Sequence, residues 1–242
     1  RMNEVTKPRL LLVNNTTNRD ARPEILDRMA GNRFGIDACW AYGGEFPDSD
    51  HHYAGAYLSG SPHGSYENLS WIEREHELID GLAERNVPMF GVCFGSQILA
   101  SALCGRDEVF RRTDCEVGYK WLDVRPGAAR DPVCRDLGQS VRMFVWHNDE
   151  VRDDHPDVSV LASTNVCPNQ IWRHREHAAW GVQGHLEITR TEAPHWFERN
   201  RERLERDGAD VDALIADADA ASDAKTMLGN FLDLCWEHPL RR

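Results

Sequence analysis

The sequence of 242 residues lacks several features that mark whole classes of protein. No apolar run approaches the ~20 residues that a membrane span requires. The seven cysteines include no C-x-x-C pair, so neither a disulfide framework nor a zinc ribbon is expected. Asp and Glu outnumber Lys and Arg by 40 to 28, and the net charge of -12 argues against nucleic acid as the principal partner.

Signals for targeting and for cofactors are also lacking. Residues 1–4 lack the apolar stretch of a secretory signal, and dispersed cysteines suit a reducing compartment, so we expect a cytoplasmic protein. The loop at residues 59–62 lacks the Gly-Lys-Ser/Thr sequence of a phosphate-binding loop, so no nucleotide cofactor is expected. The histidines at residues 51–52 and 174–177 have no third ligand placed by the sequence, and we expect no metal.

Strand and helix patterns alternate over the first hundred residues. Apolar runs predict strands at residues 8–14, 36–42, 53–58 and 87–92. Helices are predicted at residues 20–30 and 97–103, and Ser70 and Glu73 would open a longer helix between them as a capping box. This alternation predicts an α/β fold with a largely parallel central sheet covered by helices on both faces.

The middle and the end of the chain follow other patterns. Five further strands, joined by turns, are predicted at residues 116–124, 141–146, 158–162, 170–173 and 179–183. We expect these strands to form a small antiparallel region. From Glu192 onward the sequence is helical and charged. We therefore predict one domain over residues 8–190 and a C-terminal helical extension, residues 191–242, packed on it.

Cys93 stands between two glycines where a buried strand is expected to become a helix. Flanking glycines allow a sharp turn that lifts a nucleophile out of the sheet edge. The positive end of the helix dipole there favours a thiolate over a thiol. On this motif alone, a small buried cysteine between packing glycines is an equally good interpretation, and we assign the other six cysteines to packing.

A cysteine nucleophile requires a base, and His185 follows an apolar strand that begins near residue 179. A histidine and a glutamate two residues apart at a strand end project to the same side, so Glu187 can hold the His185 ring in the useful tautomer. A single histidine is more often a surface or core residue, so the hypothesis depends on the pair.

Three motifs together resemble the class I glutamine amidotransferases. They are Gly-Val-Cys-Phe-Gly-Ser-Gln at residues 91–97, Ser-Gly-Ser-Pro at 59–62 and Gln-Gly-His-Leu-Glu at 183–187, in the order and at about the spacing of that family. The resemblance covers residues 8 to 190. The sequence at residues 147–151 is similar to stand-alone members related to the glutaminase domain of GMP synthetase, a branch that includes plant γ-glutamyl peptidases.

The resemblance implies a flavodoxin-like glutaminase fold and a Cys-His-Glu catalytic triad. Cys93 would attack the γ-carboxamide of glutamine, and His185, oriented by Glu187, would pass a proton to the departing ammonia. A γ-glutamyl thioester on Cys93 would then be hydrolysed. The backbone N–H groups of Phe94 and of Gly60 or Ser61 would hold the oxyanion.

Further residues match substrate-contacting positions of the family. They are Gln97, Glu116, Val117, Gly118 and His147, of which residues 116–118 would act through their backbone. The sequence leaves two interpretations of His147 and Asp149 open, substrate support and a loop cap. Two positions depart from the family: Leu186 stands where proline is usual, and Gly184 where a bulky residue is common.

These implications leave three functions to be separated. The first is a glutaminase that releases glutamate and ammonia and supplies the ammonia to a synthetase partner. The second is a γ-glutamyl peptidase or hydrolase acting on another γ-glutamyl compound. The third is a non-enzymatic binding or regulatory protein on the same scaffold, since similar folds host unrelated functions.

Overall fold

The structure is a computed structural model that describes residues 7–48, 51–218 and 224–237. The predictions for residues 1–4 and for residues 219–223 and 238–242 of the C-terminal extension lie outside these ranges. Within the described ranges, no helix combines the length and the apolar character that crossing a membrane would demand.

Nine strands form one sheet. They are β1 (Arg9–Asn14), β2 (Gly35–Trp40), β3 (Gly55–Leu58), β4 (Met89–Val92), β5 (Val109–Val124), β6 (Ser140–Val151), β7 (Val158–Ser163), β8 (Ile171–His174) and β9 (Ala179–Val182). Their order across the sheet is β2-β1-β3-β4-β9-β8-β7-β5-β6. The first five strands of this order, from β2 to β9, run parallel, and the remaining pairings are antiparallel.

The sheet is mixed, so the prediction of a largely parallel sheet with a small antiparallel region was wrong. Four of the eight neighbouring pairings are parallel and four are antiparallel. Parallel neighbours require a long crossover that is usually an α-helix, whereas no α-helix lies between consecutive strands from β5 to β9. The predicted α/β class, with helices against the sheet, is confirmed.

Seven α-helices accompany the sheet in the described ranges. They are α1 (Glu24–Ala30), α2 (Ser70–Glu84), α3 (Phe94–Leu103), α4 (Ala193–Arg199), α5 (Arg201–Arg206), α6 (Val211–Ala216) and α7 (Lys225–Glu237). The predicted capping box of α2 does not form, because Ser70 is already helical and Leu69 occupies the N-cap position. The Glu73 carboxylate pairs with Arg106 instead.

Three apolar clusters hold the layers together. Helices α2 and α3 cover one face of the parallel strands, with Ile79 and Ile98 packed in the same cluster as Leu58. Residues of α1 and α7, such as Phe231, pack with Phe90 on the opposite face. A third cluster, around Phe144, packs the helices α4, α5 and α6 against β6. Burial on both faces explains why β1, β3 and β4 are continuous apolar runs.

Candidate active site

The candidate site lies where three neighbouring parallel strands end. Cys93 directly follows β4, Gly60 lies two residues beyond β3, and His185 lies three residues beyond β9. Strands β3 and β9 flank β4 in the sheet. Because parallel strands bring their carboxyl ends to one edge, residues far apart in the sequence converge there.

Cys93 has a strained backbone at the turn between β4 and α3. Its φ of 54° and ψ of -111° lie in a region that non-glycine residues rarely adopt. The two flanking glycines make the turn possible: a Cβ on Gly91 would lie 2.3 Å from the Gly95 oxygen, and a Cβ on Gly95 would lie 2.1 Å from the Leu58 oxygen. The predicted sharp turn therefore forms, and Cys93 stands immediately before the first turn of α3.

His185 and Glu187 form a close pair beside Cys93. The distance between His185 Nδ1 and Glu187 Oε1 is 2.6 Å. Burial alone would lower the pKa of His185, yet the Glu187 carboxylate and the hydrogen-bonded Cys93 raise that pKa well above its ordinary value. The ring is therefore poised to hold a proton between the sulfur and the carboxylate.

Two glutamine side chains complete the surroundings of the sulfur. Gln183 Nε2 donates to Cys93 Sγ over 3.8 Å. Gln97 Nε2 donates to Gln183 Oε1 over 3.2 Å and to the Asp149 carbonyl over 3.2 Å. The Gln97 donation fixes which end of the Gln183 amide faces the sulfur. Gln183 belongs to a predicted motif but had no predicted role; its alternation with His185 along one strand end was the available signal.

The Gly60 loop lies against Cys93 and His185. A Cβ built on Gly60 would lie 3.7 Å from Cys93 Cβ and 3.8 Å from His185 Cε1, which is ordinary van der Waals contact. The N–H of Phe94, at the start of α3, belongs to the first turn of a helix, where backbone donors have no intrahelical partner. The Gly60 loop and the start of α3 thus both lie next to Cys93.

A cavity of about 790 Å³ opens in front of these groups. Cys93, His185 and Glu187 line one part of it, and Trp196 and Arg203 of α4 and α5 line another. The Trp196 ring packs against His185, with centroids 6.2 Å apart. The C-terminal helices therefore form a wall of the cavity that holds the candidate site.

The structure divides the predicted substrate-contacting residues into two groups. Gln97 and His147 line the cavity, whereas residues 116–118 on β5 do not. The Glu116 side chain is buried in the sheet, with Oε2 at 2.7 Å from His147 Nε2. Burial opposes ionisation of Glu116, but hydrogen bonds from His147 and Thr164 hold its pKa below the usual value. The substrate roles of both groups stay predictions.

The two departures from the family pattern are accommodated by packing. Leu186 is buried in the apolar cluster around Phe90. A Cβ on Gly184 would lie 2.3 Å from Met143 Sδ and 2.9 Å from the Phe144 oxygen, so β6 fills the space that a larger residue would need. The His185 N–H donates to the same Phe144 carbonyl over 2.7 Å. Gly184 thus permits the close approach of β6 that supports His185.

One cluster of the described residues has the side-chain types of a metal site. Ligand atoms of Glu116, His147 and Cys167 all lie within 4.8 Å of one another. Glu116 and His147, however, hydrogen-bond to each other. Burial, followed by the charge of Glu150, raises the pKa of Cys167, which favours a neutral thiol over a metal-binding thiolate. The cluster fits a hydrogen-bonded network of the sheet.

Comparison with known proteins identifies the family. The model of the class-I glutamine amidotransferase family matches residues 39–202, and the chain belongs to that family. The match extends past residue 190, so it includes α4, the helix that carries Trp196. The members are glutamine amidotransferases, a class of glutamine-hydrolysing enzyme.

The chain is also similar to particular members of the family. The chain is 30% identical over 151 residues to one of the subunits of a glutamine-hydrolyzing GMP synthase from Pyrococcus abyssi, which covers 62% of this chain and 75% of that protein. It is 32% identical over 176 residues to the GMP synthase of Citrobacter koseri, and this covers 71% of the chain but only 32% of that protein. A glutamine amidotransferase structure from Thermotoga maritima has a TM-score of 0.81 at 23% identity, covering 96% of this chain and 99% of that one, which shows the fold.

Proposed function

We propose that the protein hydrolyses a γ-glutamyl amide, with glutamine as the first substrate to test, through a triad of Cys93, His185 and Glu187. The observation that carries the proposal is the convergence of a strained cysteine, a histidine–glutamate pair and a glycine loop at the ends of three adjacent strands. A nucleophile, a base and an orienting carboxylate in mutual reach form the general arrangement of nucleophilic catalysis.

The first half of the reaction forms a thioester. Cys93 Sγ bonds to the γ-carbonyl carbon while the His185 imidazolium holds the proton that came from the thiol. The tetrahedral intermediate then expels its nitrogen, which leaves as ammonia after taking that proton from His185. Glu187 stabilises the imidazolium throughout, over the 2.6 Å hydrogen bond to Nδ1.

The second half restores the enzyme with water. Neutral His185 takes a proton from a water molecule whose oxygen bonds to the thioester carbonyl carbon. Breaking of the carbon–sulfur bond releases glutamate, and the sulfur regains its proton from His185. In both halves the oxyanion accepts hydrogen bonds from the backbone of Phe94 and of Gly60 or Ser61, and each such donor can supply about 3 kcal/mol.

The cavity also supports a second substrate class, a larger γ-glutamyl compound. A volume of about 790 Å³ lies within the roughly 300–1,000 Å³ typical of sites for drug-sized ligands. The part lined by Trp196 and Arg203 lies beside the catalytic groups and would receive the portion of a substrate beyond its γ-glutamyl end. We therefore propose that α4 and α5, the first helices of the extension predicted over residues 191–242, help to build the site of the 8–190 domain.

A synthetase partner is the third element of the proposal. The relative from Pyrococcus abyssi is named as one subunit of a GMP synthase, and the relative from Citrobacter koseri is about three times as long as the matched region. By analogy, ammonia released at Cys93 would pass to a separate synthetase chain. Affinity purification from the source cells with the intact protein tests for such a chain.

One assay separates these possibilities. Ammonia release from glutamine is compared with cleavage of γ-glutamyl peptides, with Cys93→Ala as the inactive control. Faster turnover of glutamine supports the glutaminase, and faster turnover of peptides supports the γ-glutamyl peptidase. If a glutamine-analogue electrophile fails to label Cys93 and neither substrate reacts, the protein is a binding or regulatory member of the family instead.

A further inference from the structure

A buried polar pair lies beneath the Gly60 loop. Asn15, directly after β1, and Glu75, in α2, both have side chains with 0% exposure. Asn15 Nδ2 lies 2.9 Å from Glu75 Oε1. The pair is surrounded by the apolar cluster that α2 and α3 form on the sheet, with Ile72 and Ile79 next to Glu75 on its own helix. A charged carboxylate in this position would have little compensation.

Hydrogen bonds tie the pair to Ser59, the residue before Gly60. Asn15 Nδ2 donates to the Ser59 carbonyl over 3.2 Å, and the Asn15 backbone N–H donates to Ser59 Oγ over 2.9 Å. Because a carbonyl can only accept, the Ser59 oxygen fixes the orientation of the Asn15 amide. The amide nitrogen must face Ser59 and Glu75, and Oδ1 takes the other position.

Two buried acceptors are then left without a donor. Among the described residues, Asn15 Oδ1 and Glu75 Oε2 are both buried oxygens that accept no hydrogen bond. Each unsatisfied buried acceptor is costly. A single proton on Glu75 Oε2 would turn that oxygen into a donor, and the unpartnered Oδ1 belongs to the amide that Glu75 already contacts. An amide and a carboxylic acid pair in this way through two opposed hydrogen bonds.

We propose that Glu75 is a neutral carboxylic acid in the folded protein and, paired with Asn15 through two hydrogen bonds, is a positioning residue for the Ser59–Gly60–Ser61 oxyanion loop. The chain of contacts runs from α2 through Asn15 to both the carbonyl and the hydroxyl of Ser59. The positioning role depends on the proposed function, whereas the protonation of Glu75 does not.

The electrostatic surroundings agree with a neutral Glu75. Burial raises the pKa of Glu75 to about 8, while the Asn15 hydrogen bond opposes the change. The titratable group that faces it from β2 is Cys39, whose own pKa rises to about 12 through burial and then through the charge of Glu75. Asn15 and Ser59 face it from the ends of β1 and β3 and carry no charge. Among the described residues, no cationic side chain is one of the groups that face Glu75.

Unfolding equilibria test the protonation without any assay of activity. The variants are Glu75→Gln, which keeps both hydrogen bonds, and Glu77→Gln, which makes the same change on the exposed side of α2. A pKa raised from 4.5 to about 8 means that the folded wild type keeps a proton that the unfolded chain loses. We expect the unfolding constant of the wild type to rise about tenfold per pH unit relative to Glu75→Gln from about pH 5 to pH 8. A flat ratio would overturn the proposal.

Kinetics test the positioning role. We expect Glu75→Gln and Glu77→Gln to keep kcat for glutamine hydrolysis within about threefold of the wild type at pH 7. Glu75→Leu, which cannot pair with Asn15, should lower kcat at least tenfold with a smaller change in KM. A folded Glu75→Leu protein with wild-type kcat, or a Glu75→Gln protein as impaired as Glu75→Leu, would refute the role.

The two proposals fail in different ways. A wild type that hydrolyses no γ-glutamyl compound, but still shows the pH-dependent ratio of unfolding constants, contradicts the proposed function and leaves Glu75 protonated. In that case the rate at which a chloroketone analogue of glutamine labels Cys93 replaces kcat as the readout of the loop. Should Glu75→Leu not fold, the comparison of Glu75→Gln with the wild type still decides the protonation.

Discussion

Replacement of Glu187 by glutamine is the sharpest perturbation of the candidate site. The substitution preserves size, and the new side chain can still accept from His185 Nδ1 through one oxygen. Its NH₂ group would take the place of Glu187 Oε2, a buried atom that accepts no hydrogen bond among the described residues. The change therefore removes the negative charge beside His185 and little else.

The expected size of the effect on activity follows from the hydrogen bond between His185 and Glu187. In the variant the His185 imidazolium keeps a hydrogen bond to a neutral oxygen but loses its pairing with a carboxylate, a loss of about 1–2 kcal/mol of stabilisation. In the wild type the Glu187 carboxylate raises the pKa of His185, so its replacement by an amide lowers that pKa. We expect the alkaline limb of kcat/KM for glutamine hydrolysis to move to lower pH by about one pH unit, and kcat/KM at pH 7 to fall about tenfold.

The pH dependence of stability gives a second measurement. Because the folded pKa of His185 is raised, its contribution to stability is complete below the unfolded pKa of 6.5 and is lost as pH rises through the folded pKa. The wild type should therefore exceed Glu187→Gln in stability by more just below pH 6.5, with the Glu187 carboxylate ionised, than in alkaline solution. Urea denaturation at a series of pH values measures it.

Glu192→Gln is the matched control, since Glu192 lines the same cavity but accepts from Thr189 over 2.7 Å rather than from a histidine. It should leave the alkaline limb where the wild type has it. If the limb is at the same pH in Glu187→Gln as in the wild type, Glu187 does not control the protonation of His185, and the reasoning fails.

Three further comparisons test the surroundings of Cys93. Gly95→Ala places a Cβ 2.1 Å from the Leu58 oxygen, so urea denaturation should show a loss of about 1–3 kcal/mol, and no loss would contradict the close packing. Cys93→Gly should be about 1 kcal/mol more stable than Cys93→Ala, because only glycine adopts a φ of 54° without strain. Equal stability of the two variants would show that the turn stores no backbone strain. Gln183→Leu removes the donor to Cys93 Sγ and should lower kcat about tenfold with little change in KM, whereas a matching rise in KM would assign Gln183 to substrate binding.

Local patterns predicted the elements that carry the site. The two glycines around Cys93 indicated a turn that only small residues allow, and the structure has that turn. The alternation of His185 and Glu187 predicted side chains on one side, and they hydrogen-bond. In each case the physical cause lies within a few residues of sequence, so the local pattern is enough to predict it.

Contacts between residues far apart in the chain could not be predicted from the sequence. The direction of β5 to β9 depends on which neighbours they pair with, and alternating apolar residues are compatible with either direction. Asn15 and Glu75 are 60 residues apart, and neither is unusual in its own segment. The predicted Ser70 capping box is absent because α2 begins one residue earlier than the pattern predicts, with Leu69 at the N-cap, and the Glu73 carboxylate pairs with Arg106 from another part of the chain.

Strand β9 joins the two halves of the sheet, because it is parallel to β4 and antiparallel to β8. The Val182 carbonyl at its end accepts from the Cys93 N–H over 2.8 Å, which extends the parallel pairing of β4 with β9 to Cys93 and fixes Cys93 relative to the segment that carries His185. That contact joins segments some ninety residues apart, with β5 to β8 between them in the sequence, so its formation closes a long loop at a cost in chain entropy. During synthesis, therefore, a nascent chain carries Cys93 long before it carries His185, and the two side chains can meet only once the chain has been made through β9.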